Sequence, residues 1–245
     1  MWGKINAGIK KGLELTGNLL YPVRCPVCDE VLGKGSQRMC PSCRQKVHYL
    51  QQPLCCCCGK KVSDEETELC RDCSQRRHLF TAGRALYEYE DIAPALYRFK
   101  YDGRREYASF FGREMAQQLG GYIRRLKPDG LIPVPMYAGK RRRRGYNQAD
   151  LLARALGKEL GIAVYPDLVI RNRDTRPQKD LNSEERLNNL KKAFNLRQNG
   201  VKLNTIILID DIYTTGSTID QISAVLLSAG CRQIYYVALA IGAGV

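Results

Sequence analysis

Between residues 81 and 241 the chain alternates two hydrophobic rhythms. TAGRALYEY reads as a strand, DIAPALYRFKYDGRREYASFFGREMAQQL as one or two helices, and GLIPVPM as a strand ending in prolines. After it QADLLARALGKELG reads as helix, AVYPDLVIR as strand, SEERLNNLKKAF as helix, NTIILID as strand, STIDQISAVLLSAG as helix and QIYYVALAI as strand. Strands separated by helices of about 10 to 15 residues predict a mainly parallel α/β sheet covered on both faces. Sheets of this kind bind ligands at the carboxyl ends of their strands.

The stretch from Asn204 to Ile209 is apolar and rich in β-branched residues, as a central strand buried on both faces should be. Asp210 and Asp211 are therefore expected at its carboxyl end. Thr214, Thr215, Gly216, Ser217 and Thr218 then lead into a helix, whose unpaired N–H groups and dipole favour a phosphate. Carboxylates suit sugar hydroxyls, so a ribose 5-phosphate would satisfy both halves of the stretch. The bland alternative is a polar turn with Ser217 or Thr218 capping the helix. Neither G-x-x-x-x-G-K-[ST] nor G-x-G-x-x-G occurs, which argues against a P-loop hydrolase or a dinucleotide fold.

Upstream the alternation disappears. Trp2, Ile5, Ile9, Leu13 and Leu20 fall on one stripe and predict a helical segment over residues 1–24, docked on its own domain. Ten of the 11 cysteines follow between Cys25 and Cys73. CPVCDEVLGKGSQRMCPSC and CCCCGKKVSDEETELCRDC share the pattern C-x2-C-x11-C-x2-C, offset by 30 residues, which makes them a tandem repeat. Paired thiolate knuckles at this spacing suit tetrahedral zinc. One site would take Cys25, Cys28, Cys40 and Cys43, and the other Cys55, Cys58, Cys70 and Cys73. Cys56 and Cys57 become bystanders, because only Cys55 and Cys58 preserve both gaps. Interleaved pairing of the knuckles and an iron–sulfur cluster remain open on spacing alone. Closed four-cysteine sites are folding staples, so two structural zinc ions are expected rather than catalytic metal. Residues 25–80 would form this module, closed by a linker from Ser74 to Phe80, and Cys231 would be an ordinary core or strand-edge thiol.

Charge adds a partner class. The net charge is +14, and residues 81–200 hold 24 basic against 14 acidic residues, so anionic partners are favoured. No stretch is long and apolar enough for a membrane span and no export signal opens the chain, which leads us to expect a cytoplasmic protein.

IILIDDIYTTGST resembles the phosphoribosyl pyrophosphate (PRPP) motif of type I phosphoribosyltransferases. Within that superfamily, PVPMYAGKRRRRGYNQADLLA and RDTRPQKDLNSEERLNNLKKAFNL resemble signatures of the ComF family of competence proteins, as does the double cysteine ribbon. The resemblance covers nearly the whole chain. It implies an α/β fold with the parallel sheet of type I phosphoribosyltransferases over residues 81–245, preceded by a small zinc-ribbon domain. Asp210 and Asp211 would bind the ribose hydroxyls, directly or through magnesium, and Thr214, Thr215, Gly216, Ser217 and Thr218 would hold the 5-phosphate. The turn after Pro133-Val134-Pro135 would face pyrophosphate, with Lys140 and the arginines 141–144 as candidates and Arg144 first among them. Residues Arg171 to Arg186 would form a loop closing over the site. The family further implies DNA uptake in natural transformation, with single-stranded DNA and other competence DNA-uptake proteins as partners. The alternative is an active transferase moving phosphoribose from PRPP to a nitrogen acceptor with release of pyrophosphate. No general base or acceptor pocket is legible in the sequence.

Overall fold

The computed structural model describes residues 22–33, 39–172, 193–197 and 203–242. The amino-terminal helical segment up to residue 21, the closing loop from residue 173 and the helix expected over SEERLNNLKK lie outside these. Two compact units divide the chain, residues 1–47 and 48–245.

The first unit contains one cysteine ribbon with the short helix α1 (Pro41–Lys46), and the second ribbon, with α2 (Arg71–Gln75), opens the larger unit. The repeat in sequence is a repeat in backbone geometry. Arg24 bridges Val31 in one copy and Leu54 bridges Lys61 in the other, each offset by the repeat length. Cys25 N–H donates to Glu30 O at 2.8 Å, and Cys55 N–H to Lys60 O at 2.7 Å. Asp29 and Gly59 occupy matching left-handed positions, at φ 67° and 74°.

The rest of the larger unit follows in the order β1 (Ala82–Glu88), α3 (Tyr89–Tyr101), α4 (Tyr107–Arg125), β2 (Gly130–Pro133), α5 (Ala138–Arg144) and α6 (Gln148–Leu160). After these come β3 (Val169–Arg171), β4 (Phe194–Leu196), β5 (Thr205–Tyr213), α7 (Ser217–Ser228) and β6 (Gln233–Ile241). Four strands form a parallel sheet in the order β1-β6-β5-β2. Its centre is dry on both faces, since consecutive residues Ile206 to Ile209 are all fully buried. This is the expected α/β parallel sheet.

One detail differs from expectation, and two open ones are settled. AVYPDLVIR is not one strand of the main sheet: Val164 makes a single parallel bridge to Leu131, and Val169–Arg171 pairs antiparallel with Phe194–Leu196 in a separate two-stranded sheet. Pro166 explains the split, because it lacks the N–H that a continuous ladder needs. The long helical stretch after β1 is two helices, broken beyond Tyr101 where Gly103 takes φ +71°. GLIPVPM gives the expected strand ending in prolines, four residues long, with a last link from Val134 N–H before Pro135.

One face of the sheet has an unusual cover. Ile219, Ile222 and Leu226 of α7 share a buried cluster with Ile206, Leu208, Tyr236 and the ribbon cysteines Cys55, Cys58 and Cys73. The second ribbon therefore occupies space where a doubly covered sheet would place another helix. Tyr236 donates its hydroxyl to Cys58 O at 2.5 Å, and Gly83 N–H donates to Cys57 O at 2.8 Å. The Tyr236 ring lies so close over Gly83 that a Cβ there would meet it at 1.9 Å. A residue without a side chain is required at this close approach.

Candidate functional site

The two aspartates lie inside β5, which runs on to Tyr213 beside β6, so the expected strand end at Ile209 is too early. The neighbour on the other side does stop there. β2 pairs Pro133 with Ile209, and Val134 N–H makes the last link to Ile209 O at 2.8 Å. Asp210 and Asp211 therefore occupy the step where β5 outruns β2.

Asp210 Oδ1 accepts the Asp211 N–H at 2.8 Å, and Asp211 pairs with Lys100 Nζ of α3 at 3.1 Å. Burial, then the adjacent Asp211 charge, push the Asp210 carboxyl up to about 8. Its Asp211 N–H bond and the nearby charges of Lys100 and Arg171 pull the other way. Nothing in the spacing of FKYD marks Lys100 as a site residue.

Beyond Tyr213 the chain turns through Thr214 and Thr215 to Gly216, which takes φ +75° and caps α7. This corrects the capping alternative, since neither Ser217 nor Thr218 is the cap. A side chain at Gly216 would meet the Tyr213 hydroxyl at 2.7 Å and the His78 ring at 2.9 Å. Thr215 Oγ1 and Ser217 Oγ are 3.1 Å apart, and Thr214 and Thr215 are exposed.

Asp220, in the first turn of α7, is held by the segment that was expected to be a linker. It accepts from Leu79 N–H at 2.8 Å, meets His78 Nδ1 at 2.9 Å and accepts from Arg76 at 3.2 Å. Arg76 also reaches Ser217 Oγ at 3.4 Å. His78 stacks on buried Phe80, with ring centroids 4.6 Å apart. The one sequence clue to this clamp was an acidic residue in the first helical turn, where it favours the helix dipole.

Arg144 is the last residue of α5, before Gly145 at φ +82°. Its guanidinium lies 4.9 Å from the Tyr101 ring centroid and donates to Gln148 Oε1 at 2.7 Å. Gln148 donates in turn to Phe99 O at 3.1 Å, joined there by the Tyr146 hydroxyl at 2.5 Å. Asn147 caps α6 by accepting from Ala149 N–H, and donates to Val134 O at 2.9 Å. The segment RGYNQ thus fastens the arginine run to the end of β2 and to the last turn of α3. That turn connects the groups predicted separately: Phe99 holds the RGYNQ segment, Lys100 pairs with Asp211 and Tyr101 carries Arg144. Arg141, Arg142 and Arg143 are exposed.

The cysteines gather as two tetrads, Cys25, Cys28, Cys40 and Cys43, and Cys55, Cys58, Cys70 and Cys73, with all Sγ atoms of a set within 4.8 Å of one another. The pairing is within each repeat rather than interleaved. Sγ–Sγ separations of 3.7 Å for Cys28–Cys40 and 3.5 Å for Cys58–Cys70 fit the edges of a tetrahedron around zinc. Backbone N–H groups of Cys40 and Cys58 point at the sulfurs of Cys25 and Cys55, as support for thiolate charge requires. Cys56 is exposed and Cys57 half-buried, both outside the tetrad. Cys231 is half-buried, and burial raises its thiol pKa.

These features define a parallel α/β protein whose chain also carries two zinc-ribbon cysteine tetrads. A double zinc ribbon domain model matches residues 16–74. Competence protein F of Haemophilus influenzae is 35% identical over 59% of this chain and 66% of its own length. The DNA utilization protein YhgH of Salmonella typhi is 33% identical over 61% of this chain and 68% of its own. Competence protein ComFC of Streptococcus pneumoniae is 31% identical over 62% and 64%. The chain belongs to the ComF family of competence proteins. It spans 64–66% of the length of the first curated relatives it matches. Among solved structures, a hypoxanthine phosphoribosyltransferase of Staphylococcus aureus aligns with TM-score 0.33 and 14% identity, over 55% of this chain and 62% of that one. That likeness is too partial to carry an inference. Among the described residues no helix is long and apolar enough to cross a membrane.

Proposed function

We propose that this protein binds PRPP at the end of β5 and serves DNA uptake by handling incoming single-stranded DNA. The observation that carries the first half is the continuity of one segment. The aspartate pair stands beside the cation Lys100, and five residues after Asp211 a glycine turn opens α7 with exposed hydroxyls. Asp210 and Asp211 would bind ribose hydroxyls, Thr214 to Thr218 the 5-phosphate, and Arg144 the pyrophosphate. Magnesium, when bound with PRPP, would neutralise pyrophosphate charge. Relatives named for competence and DNA utilization support the second half.

Calorimetric titration of PRPP with magnesium tests the site. Replacing both aspartates with asparagine removes charge while keeping shape, and affinity should fall at least tenfold, as expected for losing charge-assisted hydrogen bonds worth roughly 1.5–3 kcal/mol each. A folded double variant that binds PRPP like the parent would remove the basis of the reading. Steady pyrophosphate release with an added amine or base would assign transferase activity as well.

A further inference from the structure

We propose that Tyr97 and Tyr101 of α3, with the arginine run of α5 beside them, form the surface on which single-stranded nucleic acid lies. The inference rests on the DNA-handling reading above and locates it.

Helix α3 buries Ile92, Ala95, Leu96 and Phe99, which accounts for its packing against the sheet. Its outward face carries Tyr97 and Tyr101, one turn apart and 60% and 62% exposed, the highest values among large apolar side chains of the described residues. Their ring centroids are 5.0 Å apart. More than half of each tyrosine remains in water, where a base with a free face can stack on it. Phosphate contacts are supplied next door. Arg144 lies against Tyr101, and α5 (AGKRRRR) contains no acidic residue and exposes Arg141, Arg142 and Arg143. Asp102 and Glu106 are the nearby acids in sequence, and Glu106 is paired with Arg104 at 3.7 Å.

Aromatic faces beside exposed guanidinium groups are complementary to a strand whose bases are free, not to a duplex whose base faces are stacked away. The location is also informative. Lys100, next to Tyr101, pairs with Asp211, so a strand on this surface would pass the mouth of the proposed PRPP site.

Fluorescence anisotropy of the full chain with a labelled oligothymidylate, over a range of salt, tests this. The parent should bind it more tightly than a duplex of equal length, with affinity falling as salt rises. Tyr97→Ala/Tyr101→Ala should weaken binding tenfold or more at every salt concentration without changing the salt slope, and Tyr97→Phe/Tyr101→Phe should restore it. Arg142→Ala/Arg143→Ala should flatten the slope. Melting temperature reports folding, and Tyr97→Glu offers a single change at an exposed position that should also weaken binding. Parent-like binding by folded alanine and glutamate variants would overturn the surface while leaving the DNA reading intact. No binding by the parent would overturn both. Tyrosine-dependent capture of phosphatidylserine vesicles without oligonucleotide binding would give the surface to a membrane and overturn the proposal.

Discussion

Asp210 is placed where burial and Asp211 both oppose its ionisation, and the protein bears that cost in the absence of ligand. Its carboxyl is pushed up to about 8 from an ordinary 3.8. For an acid whose folded-state pKa is raised, the favourable contribution is complete below the unfolded value and is lost as pH rises through the folded one. The stability forfeited between roughly pH 4 and 8 is on the order of a few kcal/mol, at about 1.4 kcal/mol per pKa unit. Asp210→Asn cannot ionise and still presents an oxygen to the Asp211 N–H. Thermal unfolding without ligand should therefore find the variant more stable than the parent at pH 8–9, with the gap closing below pH 5. A variant less stable than the parent at the high end would contradict the assignment of the cost to Asp210. If PRPP binds as proposed, the same substitution weakens its binding, so stability and binding should move in opposite directions.

At the scale of elements, the second ribbon shows why spacing alone distinguishes its four neighbouring cysteines. Cys55 and Cys58 lie on the tetrad, and Cys56 faces solvent. Cys56→Ser should leave two zinc ions per chain by elemental analysis, whereas Cys58→Ser should lower the content. Equal losses would mean that the tetrads have been misassigned. The repeat was legible because metal geometry requires a fixed number of residues between ligands. Strands β5 and β6 were legible because each carries the long apolar run of a strand buried on both faces. What the sequence hid was contact between distant segments. AVYPDLVIR has strand composition, but pairing depends on Pro166 and on β4. Lys100 and His78 became site neighbours only when α3 and the 74–80 segment packed, and no periodicity encodes that. The continuation of β5 past Asp210 to Tyr213 was missed because charge usually marks a strand end, whereas here β6 extends alongside it.

For the molecule as a whole, the division into units is unlike a separation of metal module from sheet. The second ribbon shares the buried cluster of the sheet, and Asp220 is clamped from residues 76–79. Removing residues 1–47 should therefore leave a chain with a cooperative unfolding transition and one zinc. Removing residues 1–80 should leave an aggregating or molten product, because Cys55, Cys58, Cys73 and Phe80 vanish from the core and the Tyr236 hydroxyl and Gly83 N–H lose their acceptors. Calorimetry and metal analysis of the two shortened chains would compare them. A cooperative, soluble product from the shorter chain would show the ribbon to be dispensable.

The packing of Tyr236 over Gly83 and onto Cys58 O limits how such a chain can be recombined. Two ribbons with one shared spacing look interchangeable on paper, yet the second is moulded to the sheet it packs on. A chimera that takes strands from one relative and ribbons from another would inherit mismatched halves of this seat unless the glycine, the tyrosine and the carbonyl travelled together. Second ribbon and sheet would therefore have to move as one block, and a gene fusion with its junction between them would cut through a core rather than a hinge.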